Sequence, residues 1–363
     1  MLPWVWSSLC ILAGLGCASS TSNQSGQPAG KAKGDMENKT ASASVTLNKL
    51  VELDKGYGNR LAFGPDGHHW VTATAREFHL WRDHAIETSV TTEVPIQELM
   101  FRPGGHELAL CPQRYDLDKG TFVSVPPISE QLVAGLGDPP PSDRFGIAAC
   151  AEAADGETVV VAARYAPSRE YEAVDTYHGP HERVLLLRGA TRTFQAALYE
   201  GNQEIRALAV SKTHVVGGGR TIQVWDRATG KRVAELARHT VVVRVIAFSS
   251  DEQMLYAVGA DGLMTAWSTT QWTLVAAWQA HDRDVRALAV HLHQPLLVTG
   301  DNNGKLRLWS TDQPGQMLDE QSLAGPIESV AFDEARDRLG AAVRGFPAHI
   351  GIFELVRAAP PGP

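Results

Sequence analysis

Positive charge is in the minority in this chain, with 33 Lys and Arg against 41 Asp and Glu, for a net charge of −8. That deficit removes the electrostatic footprint by which proteins hold polyphosphate, so it argues against nonspecific nucleic-acid binding. Cysteine is scarce, at four residues in 363. Catalytic signatures are absent too: there is no Gly-x-Ser-x-Gly elbow, no phosphate-binding loop and no His/Glu zinc motif. With no ligand set for a metal or prosthetic group, no cofactor is expected. An apolar stretch at residues 1–16 carries no charged side chain. It is shorter than the about 20 residues that a membrane span needs. The remaining balance, 44% apolar and 20% charged, is that of a soluble core.

What the chain does have is a period. Trp225, Trp267 and Trp309 each close a short apolar run: Thr221-Ile-Gln-Val-Trp225, Leu263-Met-Thr-Ala-Trp267 and Lys305-Leu-Arg-Leu-Trp309. A fixed interval in the 40–45 residue range, with one Trp per interval, points to an array of like units. A second landmark precedes each Trp: Ile205-Arg-Ala-Leu-Ala-Val210, Val243-Arg-Val-Ile-Ala-Phe248 and Val285-Arg-Ala-Leu-Ala-Val290. It returns at Ile327-Glu-Ser-Val-Ala-Phe332 and more loosely before Phe101 and Phe63. These runs are short, apolar and rich in β-branched residues, so they read as buried strands. Turn residues separate them, as in Ala260-Asp261-Gly262 and Asn302-Asn303-Gly304.

Each period thus holds four antiparallel strands. A small four-stranded sheet has two apolar faces that it cannot bury alone. Radial stacking covers both, which predicts an all-β, seven-bladed propeller with innermost strands starting near Asn59, Gln97, Phe145, Ile205, Val243, Val285 and Ile327. The last unit has room for three strands. The segment at residues 44–53 stands at the right offset to supply the fourth and close the ring.

The pattern resembles the WD-repeat (WD40) propeller family, best at Trp225-Asp226-Arg-Ala-Thr-Gly230 and at Asp261-Gly-Leu-Met-Thr-Ala-Trp267. Tyr115-Asp116 stands in for Trp-Asp in the second unit, and Phe353 for Trp in the last. The resemblance implies buried hydrogen-bonded sets of a His, a hydroxyl, an acid and the Trp. It assigns His281, Thr299, Asn303 and Trp309 to one set, with Asn303 replacing the acid. It assigns His239, Asp261 and Trp267 to another, with Val258 where a hydroxyl belongs. These His residues are therefore expected to be structural rather than metal-binding or catalytic.

The N-terminus has its own logic. Residues 1–16 suit a secretory signal. Leu12-Ala-Gly-Leu-Gly-Cys17 resembles the cleavage box of bacterial lipoproteins, which implies a lipid anchor on Cys17 and residence at the cell envelope, most simply the outer membrane. The alternative is a soluble secreted or periplasmic protein. The stretch 18–44 is Ser/Gly/Ala/Lys-rich without an aromatic residue, so it reads as a disordered linker. The domain reading is a signal at 1–16, a lipidated Cys with linker at 17–44, the propeller at 45–356 and a flexible tail at 357–363. Cys111 and Cys150 fall on neighbouring blades and are expected to act as small buried hydrophobes. A disulfide between them would need Cα atoms within about 7 Å.

Two features suggest where partners bind. Arg206, Arg244 and Arg286 each lie four residues before a landmark, on three consecutive units. In a ring this gathers three guanidiniums at one mouth of the channel, suited to carboxylates or phosphates. Glu204, Asp282 and Asp284 lie near enough in sequence to neutralise them. The second feature is an insertion at 164–182 holding Tyr165, Tyr171 and Tyr177. Long loops on rigid scaffolds carry function, and exposed Tyr is enriched at interfaces. The leading reading is a monomeric, noncatalytic interaction scaffold with an acidic protein partner, tethered to an envelope membrane. The alternative is a propeller hydrolase or lyase with its active site at the channel mouth.

Overall fold

The computed structural model describes residues 45–53, 58–111, 113–124, 145–165, 181–189, 192–201, 203–282, 284–345 and 348–357. Cys17, the signal and linker, Tyr171 and Tyr177 lie outside them. The described residues form 28 strands and no helix.

The strands divide into seven four-stranded antiparallel sheets. After β1 (Val45–Leu53), blade 1 is β2 (Arg60–Phe63), β3 (His69–Ala73), β4 (Glu77–Arg82) and β5 (Ala85–Thr91). Blade 2 is β6 (Met100–Phe101), β7 (Glu107–Ala109), β8 (Arg114–Asp116) and β9 (Thr121–Phe122). Blade 3 is β10 (Phe145–Glu152), β11 (Thr158–Tyr165), β12 (His181–Arg188) and β13 (Thr193–Gly201). Blade 4 is β14 (Ala207–Val210), β15 (His214–Gly218), β16 (Ile222–Asp226) and β17 (Arg232–Leu236). Blade 5 is β18 (Val243–Phe248), β19 (Met254–Gly259), β20 (Leu263–Ser268) and β21 (Thr273–Gln279). Blade 6 is β22 (Val285–Val290), β23 (Leu296–Asp301), β24 (Lys305–Ser310) and β25 (Met317–Ser322).

Blade 7 joins the two ends of the propeller. Its order is β1, β28 (His349–Arg357), β27 (Arg338–Val343), β26 (Ile327–Asp333). The register runs from Val45 opposite Arg357 to Leu53 opposite Ile350. Val45 and Leu47 are buried in a cluster that includes Phe353, Leu355, Leu308 and Leu339. Phe353 thus sits buried on the third strand of its blade, as the Trp residues do in theirs. Tyr115 does the same in blade 2, edge-on to Phe78 of blade 1 and Phe122 of its own outer strand.

The hydrogen-bonded sets exist, but two assignments made from sequence are corrected. In blade 6 the Trp309 indole donates to Thr299 Oγ1 at 2.8 Å, and His281 Nε2 lies 2.7 Å from the same oxygen. The acid beside His281 Nδ1 is Asp301, at 3.1 Å, not Asn303. Burial works against ionisation of Asp301. The His281 ring and the N–H groups of Lys305 and Asn303 outweigh it and hold that carboxyl below its ordinary range. In blade 5 the position that matches Thr299 is Ala257 rather than Val258, since Ala257 opposes Ile246 as Thr299 opposes Leu288. The hydroxyl comes instead from Thr265, directly across the ladder from Ala257. It accepts from the Trp267 indole at 3.0 Å and meets His239 Nε2 at 3.1 Å.

The acid position shifts in step. Gly259 stands where blade 6 has Asp301, each opposing the first residue of its innermost strand. A Cβ at Gly259 would lie 2.5 Å from Asp261 Oδ1 and 3.0 Å from His239 Nδ1. The empty space admits Asp261, which comes within 3.6 Å of His239. Burial pushes the His239 ring below its ordinary value, against the pull of Asp261. Blade 1 keeps a reduced set, with Trp81 donating to Thr72 at 3.0 Å.

Blades 2 and 3 are braced differently, which corrects the reading of their cysteines as lone hydrophobes. Cys111 and Cys150 form a disulfide, with Cα atoms 5.9 Å apart, among Val159, Val161, Leu185 and Leu187. Nearby, the buried Glu152 carboxylate draws Arg102, Arg114 and Arg192 to within 3.2, 3.2 and 3.1 Å.

Candidate functional site

Innermost strands run parallel around the ring, so their first residues gather at one mouth of the central channel. Arg206 stands just ahead of β14, and Arg244 and Arg286 are the second residues of β18 and β22. Arg244 and Arg286 are bulged residues, left without a ladder partner between Val243 and Val245 and between Val285 and Ala287. Val243 and Val285 beside them are fully buried, while Arg206 and Arg244 keep 36% and 40% of their side chains exposed.

The guanidiniums do not stand free. Arg244 Nε lies 3.7 Å from Asp284, and Arg286 bonds the same carboxylate at 3.2 Å. Arg286 also reaches Glu328 of blade 7 at 3.1 Å, which is shared with Arg344 at 3.3 Å. On the other side, Arg206 pairs with Glu204, which Arg164 of blade 3 approaches at 2.8 Å. Arg164 also bonds the buried Glu182 at 2.8 Å, and Glu182 accepts the N–H of Ile205. Five guanidiniums therefore share four carboxylates in two runs that cross blade boundaries. Of the acids that sequence placed nearby, Glu204 and Asp284 do neutralise. The pairs made by the more exposed Arg206, Arg244 and Arg344 contribute about 0–1 kcal/mol each, so they order the mouth more than they stabilise it.

Within the mouth is a lumen of 260 Å³ whose lining includes Arg60, Gln97, Glu98, Arg286, Glu328 and Ser329. Arg60 and Glu98 were not singled out from sequence. Among the described residues neither makes an ion pair. Arg60 donates to its neighbour Asn59 at 3.2 Å, and Glu98 accepts the N–H of Glu152 at 3.0 Å. Burial lowers the Arg60 guanidinium from its ordinary value, with Glu328 pulling the other way. Burial also pushes the Glu98 carboxyl up to about 8; the Glu152 N–H opposes this and the Glu152 charge adds to it. A signal for both was present in the sequence only as position. They fall beside Asn59 and Gln97, the residues that match Arg206 in blades 1 and 2.

The insertion leaves the ring at this same end. Its flanks extend the hairpin further than sequence suggested: β11 continues to Tyr165 and β12 begins at His181, with Arg164 opposite Glu182. Tyr165 ends its strand opposite Phe145, the first residue of β10. The interior, 166–180, lies outside the described residues.

Two WD40 repeats lie in this chain. The family model for the WD domain, G-beta repeat, matches residues 230–268 and 272–310. Each match takes the outermost strand of one blade and the three inner strands of the next, β17 to β20 and then β21 to β24. The WD40 propeller is generally a protein–protein interaction module and is typically a noncatalytic scaffold. No curated protein matches the chain. Among the described residues no group of three or more His, Cys, Asp and Glu is arranged to hold a metal ion.

Proposed function

We propose that this protein is a noncatalytic scaffold of a bacterial cell envelope, held to a membrane by lipid on Cys17, which docks an acidic protein at the mouth framed by Arg206, Arg244 and Arg286. The observation that carries the docking site is the shared ion-pair run. Five guanidiniums divide four carboxylates, so planar donor edges remain for a further carboxylate. An acidic partner would enter that run without breaking it. The Cys111–Cys150 disulfide supports export, because such bonds persist in oxidising compartments. The leader at 1–16 and Cys17 support the anchor.

The test of docking is crosslinking in native membranes followed by mass spectrometry, with the wild type beside Arg206→Ala/Arg244→Ala/Arg286→Ala. The expected result is an acidic protein captured by the wild type and lost from the triple variant. Equal capture by both would sink the docking site. The anchor is tested separately by labelled fatty-acid incorporation, expected in the wild type and absent from Cys17→Ser.

A further inference from the structure

We infer that the lumen behind the arginine run seats one carboxylate of the docked partner, presented on an Asp or Glu side chain, between Arg60 and the carboxyl of Glu98. The inference rests on the docking reading above and names what enters the channel.

Three observations carry it. The cavity is of side-chain size, at 260 Å³, and opens at the mouth that the arginines frame. Its walls set charged side chains among apolar ones, Leu61, Leu99, Val245, Leu288 and Val330, which reduces the screening of a charge placed there relative to open water. Its charged groups are unevenly matched. Arg286 and Glu328 are paired, whereas Arg60 and Glu98 make no ion pair with each other or with anything else described. The half-buried Arg60 guanidinium, with one hydrogen bond, to Asn59, has donors left for a bidentate partner.

The role of Glu98 follows from its surroundings. The charged groups facing the lumen are Arg60 from β2, Glu98 from the segment before β6, Arg286 from β22 and Glu328 from β26, with Glu152 of β10 behind Glu98. Held up to about 8, Glu98 is mainly protonated at neutral pH and can donate its O–H to an incoming carboxylate. Above that pH it is ionised and repels the same group. The site therefore accepts an anion at neutral pH and rejects it in alkali, whereas an unshifted carboxyl would be ionised and repel the anion throughout that range.

The experiment uses the full chain and fluorescein-labelled hexaglutamate, read by fluorescence anisotropy at low ionic strength. The wild type is expected to bind hexaglutamate and not hexaglutamine. Arg60→Gln should weaken binding by roughly tenfold to a hundredfold, the range for one charged hydrogen-bonded pair. Arg60→Lys, which keeps the charge and loses the fork, should fall between. Between pH 7 and pH 9 wild-type affinity should drop by roughly tenfold, as the protonated fraction of one group falls. Glu98→Gln should bind about equally at both. Hexaglutamate binding unchanged by both Arg60 variants, or a pH profile unchanged by Glu98→Gln, overturns the seat. If Arg206→Ala/Arg244→Ala/Arg286→Ala loses hexaglutamate while Arg60→Gln keeps it, the docking mouth stands and the lumen seat falls. If the wild type binds no hexaglutamate, both fall. Free glutarate binding more tightly than hexaglutamate would overturn assignment to a partner's side chain.

Discussion

At the scale of single residues, the two buried sets show that a hydrogen-bonding demand can be met from more than one register. His and Trp occupy the same places in blades 5 and 6, while the hydroxyl and the acid each come from a different place. Thr299→Val removes the oxygen that serves both His281 Nε2 and the Trp309 indole. It should cost about 1–3 kcal/mol for each buried group left unpartnered. Denaturant unfolding of the variant checks this, and an unchanged midpoint would contradict it. The invariant parts of the set were legible as spacing, because a Trp every 42 residues needs no structure to be seen. The hydroxyl and acid were not legible. Which side chains share a face depends on strand register and on the bulge that precedes it, and neither Thr265 nor Asp301 declares that in sequence. Arg60 and Glu98 were missed for a related reason: one Arg and one Glu in early blades carry no repeat to mark them.

At the scale of elements, β1 is the piece on which closure turns. It pairs with β28 along its length, with a bulge at Leu50. It is also tied sideways to blade 6, where Asp319 accepts the N–H of Leu47 at 2.7 Å and Gln321 donates to its carbonyl at 3.2 Å. Burying Val45 and Leu47 contributes about 1.5–3 kcal/mol each. A chain lacking residues 1–53 would present β28 as an unpaired edge beside an uncovered Phe353 and Leu355. It should elute as aggregates in size-exclusion chromatography with light scattering, where the chain starting at Val45 elutes as a monomer. Monomeric behaviour of both would refute the latch. This strand was readable because the last unit is one strand short and residues 44–53 stand at the offset of a fourth. Blade 2 was harder to outline. Its ladders are two or three residues long, and Gln97 is bonded to Cys111 ahead of the strand rather than within it.

At the scale of the whole molecule, the ring is uneven in how its wedges are fastened. Blades 5 and 6 carry complete buried sets, while blades 2 and 3 carry no Trp and are joined by the disulfide and by three arginines around Glu152. The bond spans 39 residues. By the entropy of the loop it closes, Cys111→Ser/Cys150→Ser should lose about 4 kcal/mol against the oxidised wild type. Unfolding with and without reductant tests this: reductant should destabilise the wild type and leave the double variant unmoved. A wild type indifferent to reductant would show that the bond does not form. Sequence set these cysteines on adjacent blades but could not supply the distance between their Cα atoms, which depends on how two wedges lean together.

The pairing of β1 with β28 also governs the order in which the molecule can be made. Synthesis runs from β1 toward β28, so Leu47 leaves the ribosome long before Leu355, the residue it will face. Until then the first strand has no mate and the seventh wedge no rim. Contacts this remote in sequence make folding slow. A nascent chain would thus spend most of its synthesis as an open arc, and that interval is when a chaperone would find it unfinished.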